Sequence, residues 1–247
     1  MIPYTPHPVL FEIGFIKIYS WGFMAAIAFL VGMFFAAKEA ERKNINKNKI
    51  YDIFTYIIIG AIIGSRIGHI IFNPGTIQSF LDLFRIWEGG MSFQGGFIGA
   101  ILFSFIYIRK NKMNFWKVAD TITPSIPIAQ AIGRIGCFLR GCCYGIPTSL
   151  PWGIQYLGEV RHPTQIYSSI FLLGIFFFLS KQKYKKSFNG SLFLTYIAIY
   201  SIFRFFIEFI RADPKILLNL TAAQITSVIL LFVSIILFFK FKKGDKK

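Results

Sequence analysis

Charge is scarce in this chain, and negative charge is scarcest. Only 15% of the 247 residues are Asp, Glu, Lys or Arg, and 11 of these are acidic against 27 basic. Soluble domains carry about a quarter charged residues, so that class is excluded. The 55% hydrophobic content, with 30 phenylalanines, points to an integral membrane protein. A stretch that reads as a soluble domain is also missing: the longest interval between apolar runs, 139–163, is short and loop-like. The first fourteen residues, MIPYTPHPVLFEIG, hold no Lys or Arg, and no small-residue cleavage site follows the first apolar run, so no signal peptide is expected. A single transmembrane domain over 1–247 is the expectation. The net charge of +16 sits in short loops between apolar runs. That placement fits the positive-inside bias and not a basic binding patch, so no nucleic-acid partner is expected.

What is present is a series of apolar runs. A bilayer core needs about 20 mostly apolar residues per helix, and seven runs qualify: 18–37, 50–72, 91–108, 118–138, 164–180, 191–210 and 217–239. The expected fold is all-α, a polytopic membrane protein with seven transmembrane helices and a short extracytoplasmic loop region at 139–163. Pro124 and Pro127 interrupt the fourth run, either as a kink or as a break lining a cavity. Basic residues orient the chain. Eighteen fall after spans one, three and five and in the C-terminal tail, among them Lys185, Lys186, Lys246 and Lys247. Five fall on the other side: Arg85, Arg140, Arg161, Arg211 and Lys215. The N-terminus is therefore expected outside and the C-terminus in the cytoplasm.

Three arginines lie inside spans, Arg66, Arg134 and Arg204, each a few residues from the outer end of its run. At 1.5 Å per helical residue they sit about 6 to 9 Å below the outer boundary. One such arginine would snorkel to the surface. Three at matched depth beside small residues point to a shared interior site. Tyr200, Arg204, Glu208 and Arg211 follow at intervals of four, four and three, which places them on one helical face. An Arg204–Glu208 ion pair with no further role is one reading. The other starts from three arginines against one nearby carboxylate, a surplus that needs an anion, and phosphate suits the guanidinium fork. At that depth the phosphate belongs to a phospholipid headgroup. The run Glu88-Gly89-Gly90-Met91-Ser92-Phe93-Gln94-Gly95-Gly96 either lets backbone approach that headgroup or serves turns and helix packing.

The three cysteines, Cys137, Cys142 and Cys143, crowd into GRIGCFLRGCCYG. A zinc site would need four ligands, and these supply three, with His162 the only evident partner in the same region. A disulfide from Cys137 to Cys142 or Cys143 would leave one thiol over. Packing is the third reading. No metal and no cofactor are expected.

The segments WGFM, GSRIGHIIFN, WEGGMSFQGGFIG, ADTITPSIPIAQAIGRIGCFLRG, RHPTQIY, IYSIFRFFIEFIRADP and TAAQI together resemble the prolipoprotein diacylglyceryl transferases across nearly the whole chain. The resemblance implies a multi-pass enzyme of the cell membrane that moves the diacylglyceryl group of phosphatidylglycerol onto the lipobox cysteine thiol of a prolipoprotein. A thioether forms and glycerol phosphate leaves. It implies phosphatidylglycerol, the lipobox segment and the bilayer as partners. It assigns phosphate binding to Arg134, Arg66 and Arg204, and an essential region to Tyr200, Arg204 and Glu208. Trp21, Gln94, Gly95, Gly96, His162 and Gln165 would line the substrate site, and Tyr167 completes the HPxQxY stretch with His162 and Gln165.

Departures from the family pattern fall in three places. The usual signature GRIGNFxNGExxG has Cys137, Arg140 and Cys142 where Asn, Asn and Glu are usual, and Gln94 replaces the histidine of HGG. Trp21 also stands where a tyrosine is usual. Glutamine cannot take the thiol proton. A thiol of pKa near 8.5 is already partly ionised, and arginines would lower that value further. Otherwise His69, three residues after Arg66, or Glu208 would accept the proton. Two other functions stay open. One keeps the fold but serves another thiol substrate or binds lipid without catalysis. The other is an anion or sulfur-compound transporter, disfavoured because no charge marks the inner half of spans four or six.

Overall fold

The structure, a computed structural model, describes residues 2–14, 16–73, 90–156, 158–184 and 187–244. Glu88 and Gly89 of the glycine-rich run, and Arg85, Lys185, Lys186, Lys246 and Lys247 of the charge count, lie outside the described residues. The chain forms two compact units, Met1–Ala36 with Ala119–Lys247 and, separately, Ala37–Val118.

The helices in order are α1 (Ser20–Arg42), α2 (Lys47–Phe72), α3 (Phe93–Lys110), α4 (Phe115–Ile122), α5 (Ser125–Arg140), α6 (Thr164–Gln182), α7 (Ser191–Ile207) and α8 (Ala222–Gly244). Five are long and apolar enough to cross a membrane: α1, α2, α6, α7 with its 3-10 extension to Ile210, and α8. A sixth span results if α4 and α5, bent by 46°, are one. Their apolar side chains stay largely exposed, as with Phe232 (61%) and Ile236 (64%) on α8, which is the surface a helix presents to lipid and not to water. The α3 helix has 18 residues, with Gln94 near one end and Arg109 and Lys110 at the other.

In the smaller unit α2 and α3 pack closely and antiparallel. A Cβ on Gly60, Gly64 or Gly68 would run into the backbone of Gly95 or Gly99, so these glycines let the two helix backbones approach. Ser92 caps α3 through Gly95, and its own N–H donates to Ser65 O (2.9 Å). At the far end Tyr107 donates to Asp52 (2.5 Å).

In the larger unit α5, α6 and α7 share a core of Ala131, Leu172, Ile175, Leu179, Leu192 and Tyr196. Phe171 on α6 stacks on Phe203 of α7 at 4.0 Å. The buried Asp120 accepts from Gly190 N and Phe193 N, both at 2.8 Å, and so places a carboxylate at the positive N-terminal end of α7. Pro124 and Pro127 break the fourth run at Thr123–Pro124, because proline cannot donate the helical bond.

The all-α expectation needs amending, since short strands gather at the ends of the helices. β1 (Ile2–Pro3) runs parallel to β4 (Ile154–Tyr156), which pairs antiparallel with β5 (Glu159–Arg161), so the region 139–163 is not wholly loop. β2 (Val9–Ile13) and β3 (Ile16–Tyr19) form a hairpin that takes Ile18 and Tyr19 out of the first run. β6 (Lys215–Leu217) and β7 (Leu220–Thr221) form another, turned by Leu218 and Asn219 at φ 49° and 59°. Two successive left-handed residues make the tight hairpin turn whose twist matches the strands. The seventh run therefore starts its helix at Ala222 and not at Leu217. Thr221 and Gln224 set that start: Thr221 N donates to Gln224 Oε1 (3.0 Å) and Gln224 N to Thr221 Oγ1 (3.3 Å), a reciprocal cap.

Candidate functional site

Arg204 sits in the last turn of α7, and there the helix tightens into a 3-10 turn over Glu208–Ile210. Arg211 has already left the helix in extended backbone, so it does not share the helical face read from the spacing. It still reaches Glu208, because the chain folds back beneath it. Glu208 is buried and takes Arg204 Nη1 at 2.6 Å, Arg211 Nε at 3.4 Å and a hydrogen bond from Thr221 Oγ1 at 2.9 Å. The fold-back also brings Asp213 to Arg211 Nε (2.9 Å) and to Arg204 (3.8 Å). Burial pushes the Asp213 carboxyl up, but the Arg211 guanidinium outweighs it and holds the group below the usual carboxylate range.

The supposed excess of arginine over carboxylate is thus smaller than expected. Arg204 and Arg211 are matched by Glu208 and Asp213. Arg134, on α5, lies within electrostatic reach of Arg204 and is only partly buried. Among the described residues it has no hydrogen bond or ion pair. Close by, Tyr200 stacks on Tyr196, whose hydroxyl donates to Gln130 (2.8 Å), one turn before Arg134 on α5. Trp21 lies half exposed at the start of α1, where a Cβ on Gly136 would come 3.5 Å from its Cα, so the GRIG glycine lets α1 and α5 touch.

The HPxQxY residues act on the cysteine loop. Gln165 Nε2 donates to Cys142 O (2.6 Å), Thr164 Oγ1 to Cys143 O (2.6 Å) and Arg211 Nη1 to Cys143 O (3.3 Å). The backbone N–H of Gly145 donates to His162 O (2.9 Å), while the His162 ring approaches Tyr167 Oη at 3.4 Å. Among the described residues, Gln165 Oε1 is buried without a hydrogen-bond partner.

That loop starts at Gly141, whose φ of +74° ends α5. Gly141 N donates to Phe138 O (2.9 Å) and Cys142 N to Cys137 O (3.0 Å). These are the two bonds of a Schellman turn, and such a turn sets the residue after the glycine against the one five before it. Cys142 therefore lands on Cys137. With Cys143 at φ 64°, the three Sγ atoms lie within 4.8 Å of one another, and His162 is not part of the group. Hydrogen bonds from Cys137 and Cys142, with Arg211 beside them, push the Cys143 thiol far below its ordinary range. Bonds with Cys137 and Cys143 and burial push Cys142 up.

Arg66, His69, Gln94, Gly95 and Gly96 belong to the smaller unit. Arg66 Nη1 donates to Gly90 O (3.1 Å), and a Cβ on Gly90, at φ +71°, would fall 2.8 Å from both Arg66 Nη1 and His69 Nε2. Gly90 thus lets these two side chains close over the chain. The exposed Gln94 accepts from Ser92 Oγ (3.2 Å), Gly95 packs on Gly64 and Gly68, and Gly96 faces Ala61 O and Ser65.

A family model described as prolipoprotein diacylglyceryl transferase matches residues 8–240. The chain belongs to the prolipoprotein diacylglyceryl transferase family. It is 39% identical over 222 residues to the phosphatidylglycerol–prolipoprotein diacylglyceryl transferase of Clostridioides difficile (strain 630), covering 90% of each chain. It is 34% identical over 239 residues to the protein so named in Clostridium tetani (strain Massachusetts / E88), covering 94% of this chain and 96% of that one. A third, from Thermotoga maritima, is 34% identical over 238 residues, or 91% and 81%. For this transferase-family chain, Asp213, Thr221 and Thr164 are site neighbours that the sequence reading passed over. The signal for Thr221 was present as T-x-x-Q ahead of an apolar run, a capping box. The signal for the thiol cluster was the glycine directly before Cys142 in C-x4-C.

Proposed function

We propose that this chain transfers the diacylglyceryl group of phosphatidylglycerol to the cysteine thiol of a prolipoprotein lipobox, as a seven-span enzyme of the cell membrane. One observation carries the reading: Arg134 is the cation of the Arg204–Glu208–Arg211–Asp213 neighbourhood that no anion in the described residues matches, in the middle of a largely apolar helix. A guanidinium held there takes a phosphate through two parallel N–H donors. Arg204, tied to Glu208 and Asp213, holds a second positive charge beside it. For Arg66, whose guanidinium donates to Gly90 O, the phosphate role rests on the resemblance alone. The phosphate then gains charge as its bond to the glyceryl carbon breaks, and fixed donors already aimed at it lower the barrier.

Seven spans are supported by the packing of α3 along α2, which carries α3 across any layer that α2 crosses, and the basic ends of both helices support a cytoplasmic C-terminus. The test is diacylglyceryl transfer to a synthetic lipobox peptide by the purified chain, with complementation of a strain depleted of its own transferase. The intact chain is expected to support both. Arg134→Ala is expected to lose at least 100-fold in kcat/KM, about 2.7 kcal/mol, and Arg134→Lys to recover part of it. Transfer by Arg134→Ala at the unmodified rate would remove the assignment.

A further inference from the structure

Nothing in the proposed function uses the thiol cluster. We propose that Cys137, Cys142 and Cys143 hold one Zn2+ through their three thiolates, leaving its fourth position for the thiol of the acceptor peptide.

The donor set and its spacing argue for the ion. Three sulfurs with no carboxylate or imidazole among them suit thiophilic d10 cations and no hard cation. Zinc–sulfur bonds of about 2.3 Å in a tetrahedron set the sulfurs about 3.8 Å apart, so a group within 4.8 Å needs only small side-chain rotations. The backbone is already fixed for it. The Gly141 turn seats Cys142 on Cys137, and Cys143 is held in the left-handed region, unusual for a residue with a side chain. Its carbonyl is engaged by Thr164 and Arg211, and that of Cys142 by Gln165. Strain maintained by surrounding bonds is typical of sites and not of packing. Three thiolates and Zn2+ carry one net negative charge, which Arg134, one turn before Cys137 on α5, and Arg211, beside Cys143, offset.

The open position argues for the fourth ligand. Structural zinc sites close all four positions with protein, whereas sites with three protein ligands keep one for substrate. This one adjoins Arg134 and, through it, Arg204, the arginines assigned above to phosphate; the role given to the fourth position rests on that assignment. A thiol bound to zinc is deprotonated outright, which supplies what Gln94 cannot. The acceptor R–SH binds and releases its proton to solvent. A lone pair on its sulfur forms the C–S bond to the glyceryl carbon, and the C–O bond to phosphate breaks with its electron pair leaving on oxygen. Glycerol phosphate departs, and the neutral thioether, a weak ligand, leaves the zinc. No electrons are gained or lost.

The full-length chain, purified in detergent under reducing conditions and stripped with chelator, is titrated with Co2+ as the spectroscopic substitute for zinc. Uptake of one equivalent with thiolate-to-cobalt charge-transfer absorption is expected. Binding should weaken at least tenfold in Cys137→Ser and in Cys142→Ser, with circular dichroism confirming that each variant is folded. A lipobox peptide should shift the cobalt bands, and the same peptide with serine for cysteine should not. Failure of the folded chain to take up cobalt, cysteine-independent uptake, or bands indifferent to the thiol peptide would each overturn the proposal. So would diacylglyceryl transfer at full rate by the metal-free chain. Peptide-sensitive cobalt bands in a chain that transfers no lipid would support the zinc site and overturn the transferase reading instead.

Discussion

Glu208 is crowded by donors: Arg204, Arg211 and Thr221 all converge on one buried carboxylate. Both arginines of this neighbourhood are tied to that one carboxylate, so of the two bases suggested by the sequence Glu208 is better assigned to holding the arginines. Its loss should then act through them. Glu208→Gln keeps the shape but removes the charge, and charge-assisted hydrogen bonds contribute about 1.5 to 3 kcal/mol. The expected result is a fall in kcat/KM of about 10- to 100-fold, carried mainly by a raised KM for phosphatidylglycerol, with the pH profile of transfer unchanged. Disappearance of the acidic limb of that profile would return Glu208 to the role of base. Glu208→Ala goes further and leaves two buried guanidinium groups short of a partner. Breaking a buried pair costs about 3 to 5 kcal/mol, so that variant should also lose thermal stability in detergent.

At the scale of elements, the turn at Gly141 does more than end α5, since it also assembles the thiols. An added Cβ there would sit 2.7 Å from Pro6 Cβ and Cγ and force a side chain into φ +74°. Gly141→Ala should therefore destabilise the chain by about 1 to 3 kcal/mol. Gly133→Ala is the internal control, because its Cβ meets nothing within 4 Å, and in mid-helix alanine is favoured by about 0.5 to 1 kcal/mol. Melting temperatures of the two variants should move in opposite directions, and equal shifts would count against the turn as the determinant. These elements also show what the sequence could disclose. The helices α1, α2, α6 and α7 were legible because apolar content alone marks a span, and Thr164–Gln182 and Ser191–Ile210 begin where the runs begin. The hairpins at Ile18–Tyr19 and Leu217–Thr221 were not, because β-branched and leucine-rich residues read as the end of a greasy helix until the turn at Leu218–Asn219 is known. Arg134, Arg204 and Glu208 were legible as charges that apolar helices do not carry without cause. Asp213 was not, because its position depends on the chain reversing after Arg211, and periodicity carries no information about that reversal.

For the whole molecule the open quantity is parity: seven spans put the termini on opposite sides of the membrane, six on the same side. With α4 and α5 taken together as one span, the count turns on α3, and its geometry within its own unit argues for a span. Contacts with α2 run from Gly68–Gly95 at one end to Asp52–Tyr107 at the other. The sixteen residues from Asp52 to Gly68 rise about 24 Å at 1.5 Å each, most of a hydrocarbon core of about 30 Å. A helix packed along that whole length shares its partner's depth. The antiparallel pairing also brings Lys47 and Lys49, at the start of α2, to the same end as Arg109 and Lys110, at the close of α3. Basic residues gathered at one end mark the cytoplasmic face. A fluorescent-protein fusion after Lys112 and another at the C-terminus should therefore both fluoresce in the cytoplasm. Alkaline phosphatase inserted at Ser149, and an epitope placed before Tyr4, should report from outside. Both termini on one side would remove α3 from the spans.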